Sequence, residues 1–320
     1  MKTYRLAHNL GLIDIAPPIS GFKEFISIYV LEAEKIALVD VGPSVSVENL
    51  VSGLGELGIN PADISYIFVT HVHIDHAGGV GKAIEQMPNA RVIVHKKGRP
   101  HLIDPTRLWE DSKRALGQYA LEYQSIGPVS QDRIIIADGG MLFNLGGTEI
   151  EVLDTPGHAP HNLSFLDKGE GRLFVGDTAG IYIEEIDLVR PATPPPFDLE
   201  QALTSLDELM SLHPTSLCYA HFGSTTHALD KLQSYKKQLL LWGNIIADCL
   251  EREINCQDIY DEIRREDTAL VRLDGLPTDQ RDRELYFINS SIMGFVDYFK
   301  RHGTGYIRTA LASKACKACS

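Results

Sequence analysis

The chain has 320 residues, 44% of them hydrophobic, and a formal charge of −13 from 30 basic and 43 acidic side chains. That length suits one large α/β domain with an appendage, or two domains, and no run approaches the roughly 20 apolar residues of a membrane span. The acidic balance argues against nucleic acid as a partner, because polynucleotide binding depends on neutralising phosphates with Lys and Arg.

The opening Met1-Lys2-Thr3-Tyr4-Arg5 leads into a short alternating strand and not an apolar leader, so a cytoplasmic protein is expected. Strands are predicted over 3–6, 10–15, 25–31 and 35–40, the last running into Leu38-Val39-Asp40-Val41-Gly42. A helix over 47–58 is capped near Ser46 and stopped by Gly58. The apolar run Tyr66-Ile67-Phe68-Val69 predicts a strand over 65–70, and a helix over 77–86 and a strand over 91–94 follow it. Residues 107–124 are expected to be helical, ended by Gly127-Pro128. Strands near 133–137, 141–145, 148–153, 162–167 and 172–176 make a second β-rich half. Four prolines within 190–197 forbid a helix and predict a stiff wall across a cavity, before a helix that starts near Asp198. After a strand ending in Ala220-His221-Phe222-Gly223, helices are expected over 226–253, 256–267 and 283–302.

The chemistry concentrates where strand 65–70 ends. His71-Val72-His73-Ile74-Asp75-His76 holds four metal-capable side chains in six residues. Histidine and aspartate bury poorly without a partner, and a divalent cation is such a partner. His71 and His73, two apart on an extended segment, face the same way. Asp75 and His76 follow at a turn, where Ala77-Gly78-Gly79 lets backbone pass close by. Two ions about 3.5–4 Å apart form the clamp used for hydrolytic displacement, and four local ligands cannot fill two such shells. Further candidates end other strands: His158 in Thr155-Pro156-Gly157-His158, Asp177 in Gly176-Asp177-Thr178, and His221 in Ala220-His221-Phe222-Gly223.

His-x-His-x-Asp-His, Thr-Pro-Gly-His, Gly-Asp-Thr and Ala-His-Phe-Gly, in this order over roughly the first 225 residues, resemble the metallo-β-lactamase superfamily of metallohydrolases. The resemblance implies an αβ/βα sandwich, two facing β-sheets flanked by helices, with the metals at one edge. It implies that His71, His73 and His158 hold one ion, that Asp75, His76 and His221 hold a second, and that Asp177 bridges them. Asp40 matches the family's strand-end aspartate; it is either a carboxylate that orients a ligand imidazole or a turn residue before Gly42. Two divalent ions per chain are expected, zinc first, with iron or manganese as alternatives. Such a pair lowers the pKa of a shared water from 15.7 towards about 7. Asp75 is the candidate catalytic carboxylate that orients the resulting hydroxide.

A glyoxalase II-like or lactonase-like hydrolase of a small ester, thioester or lactone is the first expectation. A mononuclear-iron persulfide dioxygenase, a phosphodiesterase or ribonuclease, and a ligand-binding effector are the alternatives. Flavodiiron proteins fit less well, because His73 stands where they carry glutamate. The expected organisation is a catalytic domain over 1–225, a helical extension over 226–305 and a flexible tail over 306–320. The extension's apolar faces must pack on the main domain or on a second copy in a homodimer. Tyr182, Arg190 and Phe197 are the substrate-pocket candidates, Arg190 as a partner for an anionic group. His95, His101, His161, His213 and His227 are assigned to surface, wall or capping positions; His161, the nearest of them to a ligand turn, is the one placed to line the cavity, without being assigned as a ligand. Lys96-Lys97-Gly98-Arg99 and Lys231 through Lys237 are taken as solvated faces. Cys218, Cys249 and Cys256 are expected to be buried thiols, and Cys316-Lys-Ala-Cys319 part of a loose end.

Overall fold

Alternation of side chains builds two sheets that share one apolar interior. The structure, a computed structural model, describes residues 1–310, excluding the side chains of Cys256 and Gln257. The first sheet has β1 (Lys2–Ala7), β2 (Leu10–Asp14), β3 (Ser27–Leu31), β4 (Ile36–Val39), β5 (Ile64–Phe68), β6 (Arg91–His95) and β7 (Ile134–Ala137) in sequential order. Strands β1 to β4 form an antiparallel meander, and β4 to β7 run parallel. Parallel neighbours need crossovers. Helices α1 (Val47–Glu56), α2 (Ile74–Ala77) and α3 (Val80–Gln86) supply the first two, with α4 (Arg99–Ile103), α5 (Thr106–Leu116) and α6 (Gln118–Tyr123) in the third.

The second half contributes β8 (Leu142–Asn144), β9 (Glu149–Asp154), β10 (Leu163–Asp167) and β11 (Arg172–Gly176), then a separate hairpin of β12 (Ile181–Ile183) and β13 (Leu188–Arg190). After α7 (Leu199–Ser211), strands β14 (Ser216–Tyr219) and β15 (Ser224–Thr225) complete a sheet of order β15-β14-β11-β10-β9-β8. Tyr29, Leu31, Phe68 and Ile93 of one sheet meet Ile150, Val152, Phe165 and Phe174 of the other in a shared cluster. Their sequence neighbours, including Ile28, Val30, Ile67, Val92, Leu173 and Val175, point the other way into a cluster filled by the helices. The period of two along each strand therefore generates helix, sheet, sheet and helix layers, as the metallo-β-lactamase sandwich requires.

Three more helices close the chain: α8 (Ala228–Glu251), α9 (Cys256–Glu266) and α10 (Thr278–His302). Trp242, Phe295 and Ile292 of this extension lie in the same continuous cluster as Ile13 and Ile67 of the first sheet. No break in the packing marks residue 225. Helix α10 comes so close to the proline-rich strap that a Cβ on Gly294 would lie 1.6 Å from the Thr193 carbonyl oxygen.

The sequence expectations need several corrections. The helix over 107–124 is two helices, because Gly117 takes a φ of 54°. The helix over 77–86 is interrupted at Gly78-Gly79 and begins earlier, at Ile74. The hairpin β12–β13 and a 3-10 segment at Thr268–Gly275 were not foreseen. The expected loose tail begins too early: residues 305–310 are helical, Ile307 is buried, and Arg308 bonds Asn244, Asp248 and Glu251. Cys316 and Cys319 lie outside the described residues, as does the side chain of Cys256. No helix among the described residues is long and apolar enough to cross a membrane.

Glu284 on α10 is buried between two guanidinium groups. It accepts from Arg190 Nε on one side and from Arg283 Nε and Nη2 on the other, the latter two at 2.8 and 2.6 Å. Removing the central carboxylate leaves two buried cations without a counter-charge. Glu284→Ala is therefore expected to cost about 3–5 kcal/mol, measured as a fall in the urea midpoint of unfolding, and Glu284→Gln less.

Candidate metal centre

The strand ends deliver the site. His71 and His73 lie just beyond β5, Asp75 and His76 on α2, His158 beyond β9, Asp177 beyond β11 and His221 beyond β14. These positions are separate in sequence but adjacent at one edge of the sandwich. Among the described residues, three groups bring one ligand atom each to within 4.8 Å of the others: His71, His73 and His158; His71, His76 and Asp177; and Asp75, His76 and His221. All seven expected ligands are therefore gathered.

The distances fit cations. His71 Nε2, His73 Nδ1 and His158 Nε2 form a triangle with edges of 3.0, 3.0 and 3.2 Å. Ligands at about 2.0–2.1 Å around a tetrahedral zinc ion stand roughly 3.3 Å apart. In the second group, His76 Nε2 and His221 Nε2 lie 3.7 and 3.5 Å from Asp75 Oδ2, and 3.5 and 3.7 Å from Asp177 Oδ1. The other oxygen of Asp177, Oδ2, faces His158 Nε2 at 3.5 Å. One carboxylate thus presents an oxygen to each group.

The outward ring nitrogens fix the inward ones. His76 Nδ1 meets Asp40 Oδ2 at 3.1 Å, His158 Nδ1 meets the Ala192 carbonyl at 2.8 Å, and His221 Nδ1 meets the Phe25 carbonyl at 3.0 Å. Each acceptor holds a hydrogen on Nδ1 and leaves the Nε2 lone pair facing the centre. Asp40 also controls His71 indirectly. Thr70 Oγ1 donates to Asp40 Oδ2 at 2.8 Å and so accepts from His71 Nδ1 at 3.1 Å. The backbone Thr70 N–H donates to Asp40 Oδ1, also at 2.8 Å. The two readings of Asp40 merge, since it occupies a turn with φ of 60° and orients ligands as well.

Charge in this pocket is finely opposed. Burial and then the neighbouring imidazoles push His71 and His73 well below the ordinary histidine range. Burial also resists a charge on His76, but Asp177, Asp75 and Asp40 outweigh it and raise the ring to about 10. Burial would raise Asp75, yet His76 and His221 hold its carboxyl well below the usual range. His76 Nε2 and Asp177 Oδ1 are buried with no hydrogen-bond partner. Two inward lone-pair atoms without a donor, among imidazoles and carboxylates, are the chemistry that a divalent cation satisfies.

The pocket candidates fare differently. Arg190 is fully buried against Glu284, so its charge is already paired inside the protein. Phe197 packs on Phe295 in the core, with ring centroids 4.9 Å apart. Tyr182 packs against the Tyr219 ring, tilted by 32°, and donates its hydroxyl hydrogen to Asp187. The expectation that these three side chains line a substrate pocket is corrected: each is occupied by internal packing. Tyr182 nonetheless acts through its backbone, which brackets the ligand loop by bonding the His221 carbonyl and Phe222 N–H. The proline-rich strap touches the cluster through the Ala192 carbonyl, not through a side chain. Thr70 and Phe25 escaped the sequence reading. Nothing local signals a carbonyl bonded to an imidazole 196 positions away.

Residues 22–221 match the family described as the metallo-beta-lactamase superfamily. The chain belongs to that superfamily. It is 32% identical over 235 residues to the metallo-beta-lactamase fold-containing protein of Sulfurisphaera tokodaii, covering 72% of this chain and 84% of that one. The crystal structure of that archaeal protein aligns with a TM-score of 0.62 over 72% of this chain and 86% of its own. A metallo-beta-lactamase family protein of Thermus thermophilus shares the fold at 22% identity, with a TM-score of 0.68 over 93% of this chain and 95% of that one. A hydroxyacylglutathione hydrolase of Prochlorococcus marinus is 29% identical over 182 residues, 56% of this chain and 55% of that protein.

If Asp40 fixes two of the ligand rings, Asp40→Ala is expected to weaken metal retention by about 10–100-fold. Competition against a fluorescent zinc chelator measures this; affinity equal to that of the unchanged protein would remove Asp40 from the role.

Proposed function

We propose that this protein is a dinuclear-metal-dependent hydrolase of small esters, thioesters or lactones, with zinc as the first candidate ion. The observation that carries the reading is Asp177, whose two oxygens face two complete donor groups. His71, His73 and His158 would hold one ion and Asp75, His76 and His221 the other. When bound, a pair of divalent ions supplies Lewis acidity and an activated water nucleophile. The relative named as a hydroxyacylglutathione hydrolase supports acyl transfer to water as the reaction class.

The chain's own residues do the remaining work. Asp40, Thr70, the Ala192 carbonyl and the Phe25 carbonyl hold the ligand tautomers, so little reorganisation is needed during reaction. Asp75 is the candidate catalytic carboxylate. Its side chain is 16% exposed, against 1% for His76 and 6% for Asp177, so it stands nearer the solvent mouth. Held ionised by His76 and His221, it accepts hydrogen bonds from a nucleophile or substrate arriving there. The buried thiol of Cys218 does not compete as a nucleophile, since burial pushes it up to about 12. The deep burial of the ligands limits the substrate to a group that enters past His73 and Asp75.

Elemental analysis of protein purified without added metal is expected to find about two divalent ions per chain. Asp177→Ala should reduce that content and bring thioester and lactone turnover to background, and chelation should abolish turnover until zinc is restored. One iron per chain with thiol-dependent oxygen uptake would replace this reading with a dioxygenase. Fully loaded protein that hydrolyses no ester, thioester, lactone or phosphodiester would replace it with an effector.

A further inference from the structure

We propose that His161 touches the substrate, its Nε2–H donating a hydrogen bond to the acyl oxygen at the mouth of the metal centre. This assignment rests on the hydrolase reading above. His161 lies outside every candidate ligand group, yet it stands beside two of their members. Its ring is parallel to that of His71, at 16° and 6.3 Å, and perpendicular to that of His73, at 86° and 6.0 Å.

Local structure explains this placement. The Asn162 N–H bonds the Ala159 carbonyl at 3.2 Å, closing a four-residue turn after the ligand His158. Pro160 occupies the first central position, where its fixed φ suits such a turn, and His161 the second. His161 has no positive φ, as a type I turn requires. The turn is anchored beyond it: Asn162 Nδ2 donates to Thr178 Oγ1 at 2.5 Å, and the Asn162 carbonyl accepts from Thr155 N–H. The ring is thus carried on the same short connection as a ligand and tied to the residue after Asp177.

One backbone donor orients the ring. The Val72 N–H points at His161 Nδ1 at 3.5 Å, which makes Nδ1 the acceptor and puts the hydrogen on Nε2. Val72 stands between His71 and His73, so the bond also references the ring to the first donor group. Among the described residues Nε2 has no protein partner, and it is not among the buried polar atoms. That nitrogen therefore keeps some exposure to solvent. His161 is partly exposed, like His73 and Asp75, whereas His71, His76, His158 and His221 are buried. These three partly exposed residues mark the solvent-facing side of the cluster, and His161 alone among them contributes a donor that no cation would occupy. A carbonyl polarised at the centre gains negative charge on oxygen, and a fixed neutral donor there stabilises it.

Two substitutions and one spectroscopic measurement test this. His161→Phe keeps the ring's shape and removes the donor; His161→Gln keeps an N–H of similar reach. The substrates are 4-nitrophenyl acetate, S-acetyl-N-acetylcysteamine and γ-butyrolactone. His161→Phe is expected to lower kcat about 10²-fold, the loss typical of one missing oxyanion donor, with metal content and melting temperature unchanged, and His161→Gln to recover most of it. Unaltered kcat in His161→Phe overturns the proposal, as does a loss that tracks loss of metal. Independently of turnover, 15N spectra of histidine-labelled, zinc-loaded protein should show His161 as the Nε2–H tautomer, with a signal that moves on titration with acetate. A ring protonated on Nδ1, or a signal indifferent to acetate, overturns the contact. If the unchanged protein hydrolyses none of the three substrates, the hydrolase reading fails, and the acetate titration alone decides whether His161 receives a carboxyl oxygen.

Discussion

Five imidazoles and two carboxylates share one buried edge of the sandwich, and everything around them is arranged to keep them there. Burying such groups unpaired costs several kcal/mol apiece, and imidazoles crowded together repel once protonated. A divalent cation answers that demand, because it engages inward lone pairs that no protein donor reaches. The need for positive charge at this point is the constraint that the ligand tautomers and the proposed reaction answer.

The support of that edge comes from three directions. Asp40, at the end of β4, fixes His76 directly and His71 through Thr70. The strap after β13 supplies the Ala192 carbonyl to His158, and α10 presses on the strap through the gap left by Gly294. The loop before β3 supplies the Phe25 carbonyl to His221, and the Phe25 ring lies 4.5 Å from the imidazole. Arg283, itself held by Glu284, lies 3.9 Å from the Phe25 ring centroid. The C-terminal helices are therefore connected to the second donor group through one aromatic ring, and their packing belongs to the same core as the sheets.

Much of the site was legible because metal ligation imposes residue types and short spacings. His71, His73, Asp75 and His76 are visible in six residues, and His158, Asp177 and His221 each close an apolar strand with a turn. The fold was legible for a related reason: period-two runs mark strands, and the ligand motif selects one layered arrangement among several. Element boundaries were less so. Gly117 breaks a helix whose apolar pattern continues through it, and the burial of Ile307 has no local signature. Arg190 shows the main limit. A lone arginine in a proline-rich segment suits an anionic ligand equally well as an internal carboxylate, and its partner lies on a helix 94 residues away.

The sequence by itself determined which side chains can bind metal, in what order strands deliver them, and which superfamily pattern they follow, since these depend on residue type and near-neighbour spacing. Only the tertiary structure decided that Asp177 faces two donor groups, that backbone carbonyls from remote segments set the tautomers, and that Arg190, Phe197 and Tyr182 are taken up by internal packing while the His161 ring lies beside those of His71 and His73. Those outcomes depend on directions and contacts between distant segments, which close packing fixes and a linear string of residues does not contain.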